Sequence, residues 1–434
     1  MRDIILVSIV LAAALAALRR PWIGVMLWTW LSIMNPHRYT YGFAHNAPLA
    51  AIAAGATLLG LLTARERESP FKGGAITAFA LFIVWITLSW LLGIDPSGDY
   101  DQWKKVIKVF LMILVTLALL RTKQHILALT WISAGSLALL GAKGGVFTIL
   151  GGGSQRVWGP PGSFIEDNNE FAVALIMTIP LLRFLQLQIK NRWGRYVTTG
   201  VMVLCAVAAL GSQSRGALLA ISAMALWLWW NGKQKIAIGI MILLVAVPLI
   251  SFMPDSWTTR MSTIRTYEAD GSAMGRISAW WTAWNLAFYY PFGVGFNAAR
   301  PELFSRFSPY SDHSLAAHSI YFQVLGNHGF VGLAIFLAIF GATWRSAGWL
   351  RRQKFQSPDA KWCNDLGAMC QVALAGYAVG GAFLSLAYFD LPYVIMVVVA
   401  LTRIWVQRQA WQTEPAHTPW RETLFGARKN SLPR

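Results

Sequence analysis

The sequence predicts an all-α protein, a bundle of 12, possibly 13, membrane-spanning helices with a large outward loop that contains interfacial helices. Of its 434 residues, 56% are hydrophobic and 13% are charged, whereas soluble domains carry about 25% charged residues. The hydrophobic residues fall into segments that approach the roughly 20 residues of a membrane span. This composition and segmentation indicate a polytopic integral membrane protein.

Nine segments are largely apolar along their length and are predicted to cross the membrane. They are 75–94, 106–120, 171–187, 196–210, 217–230, 236–252, 330–344, 372–387 and 394–406. Four further candidates are shorter or less apolar: 4–18, 22–34, 49–63 and 126–140. If 4–18 and 22–34 both cross, the chain has 13 spans and an outer N-terminus; otherwise it has 12 spans and an inner one.

The distribution of basic residues predicts the orientation of these spans. Crossing segment by segment collects most of the 37 Lys and Arg residues on one side, which the positive-inside rule assigns to the cytoplasm. The loops 35–48, 95–105, 142–169, 211–215 and 253–328 then face outward. The net charge of +18 therefore follows from topology. Attraction to anionic membrane lipids suffices to use this charge, so the charge gives no support to nucleic-acid binding.

The chain divides into three predicted regions. Residues 1–150 hold N-terminal transmembrane helices, and residues 151–410 form a transmembrane core that includes the outward loop 253–328. Residues 411–434 form an inner, cytoplasmic tail. The three cysteines lie in or near helices, with no outward pair for a disulfide and no spacing for a metal site. No metal and no other cofactor is expected.

The outward turn 212–216, Ser-Gln-Ser-Arg-Gly, separates two apolar segments. Its small residues permit a tight reversal that would hold Arg215 at the membrane surface. A guanidinium there can bind two phosphate oxygens at once. The alternative is an arginine that extends its charge from a helix start into water, although a positive charge there opposes the helix dipole.

Glycine and proline dominate 151–162, and an acidic and amide run at 166–170 follows. Such irregular backbone can approach a ligand closely, so Arg156 is a candidate anion ligand. Asp167, Asn168 and Asn169 either contact substrate or cap the next helix.

Two motifs in loop 253–328 add functional candidates. Arg276 heads an amphipathic stretch with four aromatic residues, predicted to lie along the outer membrane plane, where a helix N-terminus also attracts anions. The alternative is an aromatic anchor helix with an incidental arginine. His318 precedes an apolar run and could deprotonate an alcohol as a neutral imidazole, or it could be a polar cap. His313 and His328 are weaker candidates.

Several sequence patterns of other function classes are missing. The first outward loop, 35–48, has no Asp or Glu, unlike metal-dependent membrane glycosyltransferases. No Walker, GxSxG or HExxH motif occurs. Acidic residues within spans, which mark proton-coupled transporters, are nearly lacking.

The chain resembles the O-antigen ligase/polymerase superfamily in a series of motifs. In chain order they are the 156–169 loop, the 212–216 turn, Gly275-Arg276, Pro291-x-Gly-x-Gly and His318-Ser319. The resemblance covers about residues 150–400. The N-terminal residues 28–36 resemble a subgroup, the exosortase-associated O-glycosylation ligases.

The resemblance implies a metal-independent glycosyltransferase at the periplasmic face of the bacterial inner membrane. Such enzymes transfer a glycan from undecaprenyl pyrophosphate to a hydroxyl of lipid A–core or of a growing glycan. By motif, Arg215 and Arg276 would bind the pyrophosphate and His318 would deprotonate the acceptor. The secondary substrate-binding candidates are Arg156, Arg265, Asn168, Asn169, His313 and Ser319.

An O-antigen ligase is the leading hypothesis, with direct attack predicting inversion at the anomeric carbon. An O-antigen polymerase and a protein O-oligosaccharide ligase would share the donor and differ in the acceptor. A lipid-linked sugar transporter would need cations along a path through the bundle, whereas here they cluster at one face.

Overall fold

The computed structural model describes residues 1–63, 69, 71–232, 234–262, 271–309 and 314–414. Throughout these residues the regular structure is helical, without a strand, which confirms the predicted all-α class. Sixteen α-helices lie in this part of the chain. They are α1 (Arg2–Arg19), α2 (Pro21–Met34), α3 (Leu49–Thr63), α4 (Gly74–Leu91), α5 (Tyr100–Leu119), α6 (Lys123–Leu150), α7 (Asn168–Gln188), α8 (Arg192–Gly211), α9 (Arg215–Asn231), α10 (Lys235–Ser251), α11 (Asp255–Ser262), α12 (Gly271–Tyr289), α13 (Pro301–Phe307), α14 (Ile320–Arg352), α15 (Trp362–Gly381) and α16 (Asp390–Gln407).

Each of the thirteen predicted apolar segments overlaps a helix, namely α1 to α10 and α14 to α16, although the segment 372–387 extends beyond the end of α15 at Gly381. Among the described residues, six of these helices are long and apolar enough to cross a membrane: α4, α6, α7, α8, α14 and α16. Others are shorter; the 14 residues of α2 extend about 21 Å, against a hydrocarbon core of about 30 Å. A total of 12 or 13 crossings therefore stays a prediction.

The first two helices run antiparallel. Asp3, near the start of α1, accepts hydrogen bonds from the backbone N–H groups of Gly42 and Ala44 at 3.2 and 3.0 Å. Both glycine and alanine lie in the loop that follows α2, so the start of α1 and the end of α2 are at the same side. This is the arrangement expected if both helices cross.

Helix α7 lies at the centre of the bundle. It packs against α6, α8, α9 and α15. Of its most apolar stretch, 83% is buried inside the protein, compared with 33% of the corresponding stretch of α4. On α4, the side chains of Leu81, Val84 and Leu88 are exposed. Since apolar side chains on the outside of such a bundle are solvated by lipid, α4 belongs to the lipid-facing layer.

Glycines bring α6 and α8 into close contact. A Cβ atom at Gly145 would lie 2.3 Å from the carbonyl oxygen of Leu204, and one at Gly141 would lie 2.6 Å from Cys205 Sγ. At the end of α8, a Cβ atom at Gly211 would lie 2.2 Å from Thr148 Oγ1. Small residues allow the backbones of membrane helices to approach closely. This contact fixes the position at which α8 ends and the turn 212–216 begins.

Gly145→Ala is expected to lower the melting temperature, because overpacking against backbone costs about 1–3 kcal/mol. Gly135→Ala in the same helix is the matched control, since a Cβ atom there meets nothing within 4 Å. The control should be neutral or slightly stabilising, because alanine favours helix over glycine. Tryptophan fluorescence melting of both variants in nanodiscs measures the difference. Equal melting temperatures would show that the interface relaxes.

Helix α14 is interrupted at Gly329, which has φ +69° and ψ −174°. The turn that contains Val294 and Gly295 docks onto the break, and both N–H groups donate to Asn327 O at 2.9 and 3.2 Å. Trp85 Nε1 donates to His328 O at 2.8 Å. Broken helices are tolerated in membrane proteins where other groups satisfy the freed carbonyls.

Side-chain contacts fasten this break to the rest of the bundle. The buried His328 side chain lies 2.9 Å from Ser89 Oγ and 2.7 Å from Tyr388 OH. Arg300, in the loop before α13, pairs with Asp95 at 3.2 Å and Asp99 at 2.5 Å. The side chains of His328 and Arg300 therefore stabilise the packing of the bundle.

The five loops predicted to face outward contact one another. These contacts are Arg300 with Asp99, Lys105 with Gly162, Arg38 with Gly162, and Gln213 with Gly153. One end of the bundle therefore carries all five loops. That this end faces the periplasm stays a prediction.

Candidate functional site

The turn 212–216 places Arg215 at the start of a helix. Gln213 adopts φ +58°, which lets the chain reverse between α8 and α9. Ser214 Oγ accepts a hydrogen bond from Ala217 N at 3.2 Å and caps α9. The half-buried Arg215 is the first residue of that helix.

The loop 151–167 is attached to this turn at both of its ends. Gln213 Nε2 donates to the carbonyl oxygens of Gly153 and Ser154, both at 3.3 Å. Asn168 Nδ2, buried at the other end, donates to Ser212 O at 2.6 Å. The loop therefore has a fixed base beside the α8–α9 turn. Its Arg156 is exposed and forms no ion pair with the described residues.

Helix α12 places Arg276 next to the His318 segment. A Cβ atom at Gly275 would lie 2.6 Å from Leu315 Cδ1, so glycine lets the segment before α14 approach α12. One turn after Arg276, Trp280 Nε1 donates to Ala317 O at 2.7 Å. On α12, Trp281 and Trp284 are exposed while Ala279, Ala283 and Ala287 are buried, as the predicted amphipathic pattern requires.

His318 combines an unusual backbone with a charged environment. Its φ of +41° is in the left-handed region, which costs a residue with a Cβ atom about 1–3 kcal/mol and is concentrated at functional sites. Burial, followed by the charge of Arg276, lowers the pKa of His318 below 6.5, and Asp167 partly opposes this shift. The imidazole is therefore neutral at pH 7 and interacts electrostatically with a guanidinium and a carboxylate.

Asp167 is the residue that sequence reasoning undervalued. It caps α7, as one of the two sequence interpretations expected, by accepting a hydrogen bond from Asn169 N at 2.8 Å. Burial raises the pKa of Asp167, but hydrogen bonds with Glu170 and Asn169 and the proximity of His318 outweigh burial and lower it. Asp167 is therefore an ionised partner for the imidazole. The acidic run 166–170 was its signal in the sequence.

Further packing connects the Arg215 turn with α12. A Cβ atom at Gly216 would lie 3.4 Å from Phe383 Cβ, and the Phe383 ring lies 6.4 Å from that of Trp280. These contacts link the Arg215 turn to α12 and link α12 to the segment that contains His318. Asp167 and Asn168 then connect that segment back to the turn. The structure brings Arg215, Arg276 and His318 to one region.

The secondary candidates divide into two groups. Asn168 and Asn169 bond to Ser212 O and Asp167 respectively, and the buried Ser319 begins α14. Their direct contact with substrate stays a prediction, as does that of Arg156. Arg265 and His313 lie outside the described residues.

A cavity of about 120 Å³ adjoins the His318 segment. Its lining includes Ala283, Ala317, Gln323 and Asn327. Ligand pockets are commonly about 300–1,000 Å³, so this cavity holds no more than a small portion of a large ligand. A large ligand would therefore lie mainly across the open face of the site.

Comparison with known proteins assigns two parts of the chain to different families. Residues 1–190, which include Arg156 and Asp167, match a family of unknown function. No curated protein matches the chain. Residues 200–337, which include Arg215, Arg276 and His318, match the family described as O-Antigen ligase. Through residues 200–337, the chain belongs to the O-antigen ligase superfamily.

Proposed function

We propose that this protein is an O-antigen ligase of the bacterial inner membrane, with its site at the periplasmic face. It transfers a glycan from undecaprenyl pyrophosphate to a hydroxyl of lipid A–core. The acceptor oxygen forms a bond to the anomeric carbon as the bond to the pyrophosphate oxygen breaks. Undecaprenyl pyrophosphate leaves with the electron pair, and attack from the opposite face inverts the anomeric configuration.

The observation that carries this proposal is the environment of His318. A neutral imidazole beside the Arg276 guanidinium and the Asp167 carboxylate is suited to take the proton of an attacking hydroxyl. The carboxylate stabilises the imidazolium that forms, and burial together with the neighbouring guanidinium keeps the pKa of the resting imidazole low, so that it is unprotonated. A general base must be in its neutral form at the working pH.

The arginines supply the second requirement, neutralisation of the leaving group. Arg215 and Arg276 lie on elements that are connected by direct contacts. Guanidinium groups bind phosphate oxygens through paired, charge-assisted hydrogen bonds. Positive charge placed where negative charge develops stabilises the transition state. This arrangement supports transfer that is independent of a metal ion.

Incubation of the purified protein in nanodiscs with undecaprenyl-pyrophosphate glycan and lipid A–core, in excess EDTA, tests the proposal. We expect one glycan on each modified lipid A–core and an equal amount of released undecaprenyl pyrophosphate. A strict requirement for a divalent cation would contradict it. Longer lipid-linked glycans from donor alone would indicate a polymerase, and transfer to protein alone a protein ligase. Donor crossing a liposome membrane unchanged would indicate a transporter.

The pH dependence of transfer is expected to report His318. Because burial and Arg276 lower the pKa of His318, kcat/KM should stay high below pH 6.5 and fall only as the imidazole becomes protonated. Arg276→Gln removes a positive neighbour and should shift this acid limb to higher pH. Asp167→Asn removes a negative one and should shift it to lower pH. Profiles normalised to their maxima separate these shifts from losses of rate, and identical profiles would exclude His318 as the base.

A further inference from the structure

Two basic side chains, Arg38 and Lys105, meet at the tip of loop 151–167, and a third, Lys143, contacts the residue that follows Arg38. Arg38 belongs to the 3₁₀ helix Pro36–Tyr39, Lys105 to the first turns of α5, and Lys143 to the second half of α6. All three precede residue 190, within the match to the family of unknown function and outside the O-antigen ligase match. The transfer step proposed above uses none of these three side chains.

Gly162 is the point at which two of these cations meet. Lys105 Nζ donates to Gly162 O at 3.3 Å, and Arg38 Nε and Nη2 both lie 3.5 Å from where a Cβ atom of Gly162 would be. The φ of Gly162 is +73°, a conformation that glycine adopts without strain. Lys143 Nζ lies over the ring of Tyr39, 5.0 Å from its centroid, beside Arg38.

The direct contacts of Lys105 and Lys143 are with neutral groups. Lys105 rests on the Phe164 ring, 4.2 Å from its centroid, and on a carbonyl oxygen. The carboxylates that interact electrostatically with Lys105 are Glu166 and Asp390. Glu166 accepts a hydrogen bond from Gly162 N at 2.8 Å, and Asp390 accepts one from Ser32 Oγ at 2.8 Å. In the described part of the chain, neither forms an ion pair with Arg38, Lys105 or Lys143. Cations that form no ion pair with the described residues attract an external anion.

The position of this cluster relates it to the transfer site. The base of loop 151–167 is bonded to the turn that carries Arg215, whereas the tip of the same loop contacts Arg38 and Lys105. One loop therefore separates two groups of cations. A reaction between two substrates that both carry anionic groups requires two such places.

We propose that Arg38, Lys105 and Lys143 form a second anion-binding subsite, which binds phosphate groups of the acceptor while Arg215 and Arg276 bind the pyrophosphate of the donor. This assignment rests on the proposed function. It gives the region that matches a family of unknown function a role in recognising the acceptor. The ligand chemistry is a phosphate monoester or diester on a saccharide-bearing lipid.

The test is a steady-state analysis of Arg38→Gln/Lys105→Gln/Lys143→Gln in nanodiscs. The KM for phosphorylated lipid A–core should rise about tenfold or more, equivalent to about 1.4 kcal/mol, while kcat and the KM for the donor change less than about twofold. Lys104→Gln, a neighbouring exposed lysine of α5, is the matched control and should behave as the wild type. With dephosphorylated lipid A–core, the wild type and the triple variant should have the same KM.

A rise in the KM for the donor instead, or an equal loss with both acceptors, would overturn the assignment. Arg38→Lys/Lys105→Arg/Lys143→Arg keeps the charges and should restore the acceptor KM if the triple variant is folded. Binding of phosphorylated lipid A–core without donor tests the subsite when no transfer occurs, which separates its failure from that of the ligase proposal. Loss of co-purified anionic membrane lipid, with acceptor binding unchanged, would assign the cations to bilayer headgroups and overturn the proposal.

Discussion

Replacing His318 by alanine is expected to reduce kcat for glycan transfer by about 10²–10⁴-fold, the usual contribution of a general base. The acceptor hydroxyl would then have to lose its proton to water during attack. The affinity for the lipid-linked donor should change little, because Arg215 and Arg276 remain. Single-turnover transfer gives the chemical step, and equilibrium binding of the donor gives the affinity.

The backbone of His318 provides a second readout. Since φ is +41°, His318→Gly should be as inactive as His318→Ala but at least as stable, because glycine adopts this conformation without cost. His328→Ala is the contrasting variant: it removes the buried ring that lies 2.9 Å from Ser89 Oγ and 2.7 Å from Tyr388 OH, so its melting temperature should fall by the equivalent of about 1–3 kcal/mol. If His318→Ala kept full transfer, the assignment of the base would be wrong.

Arg215→Lys and Arg276→Lys are each expected to lower kcat/KM for the donor by about tenfold to 150-fold. This corresponds to loss of a charge-assisted hydrogen bond of about 1.5–3 kcal/mol. Lysine keeps the positive charge but cannot bind two phosphate oxygens with a planar fork. The comparison therefore separates bidentate recognition from simple charge neutralisation. Kinetics at varied donor and saturating acceptor measure the effect.

Arg306→Lys is the matched control for this pair. Arg306 lies in the same loop as Arg276, is exposed, and has its guanidinium 4.7 Å from the centroid of the Tyr289 ring. The control should transfer glycan at close to the wild-type rate. Full activity of both Arg215→Lys and Arg276→Lys would show that net charge suffices and would contradict paired phosphate recognition.

Local properties of the chain were predictable because they depend on residues close in sequence. Apolar runs predicted thirteen segments that all overlap helices, since a helix in lipid satisfies its own backbone hydrogen bonds. Length alone left the number of crossings open, because helices such as α2 are shorter than the hydrocarbon core. The order of the motifs indicated the O-antigen ligase superfamily, and the match of residues 200–337 confirmed it.

Roles that depend on partners distant in the chain could not be predicted. Asp167 looked like a helix cap, and its second role appears only when α7 lies beside the segment before α14. His328 looked like a further, weaker site candidate, yet its partner Tyr388 comes from another part of the chain. A charged residue type does not reveal whether its partner is a ligand or the protein itself.

By itself, the sequence determined the all-helical class, the helical segments and the identities of Arg215, Arg276 and His318 as candidates. Tertiary structure alone decided that these residues share one region and that Arg38 and Lys105 meet at the tip of a single loop, with Lys143 over the ring of Tyr39. The physical reason is that helix formation is a property of neighbouring residues. Convergence depends instead on close backbone approach, as at Gly145, and on long-range bonds such as that from Asn168 to Ser212.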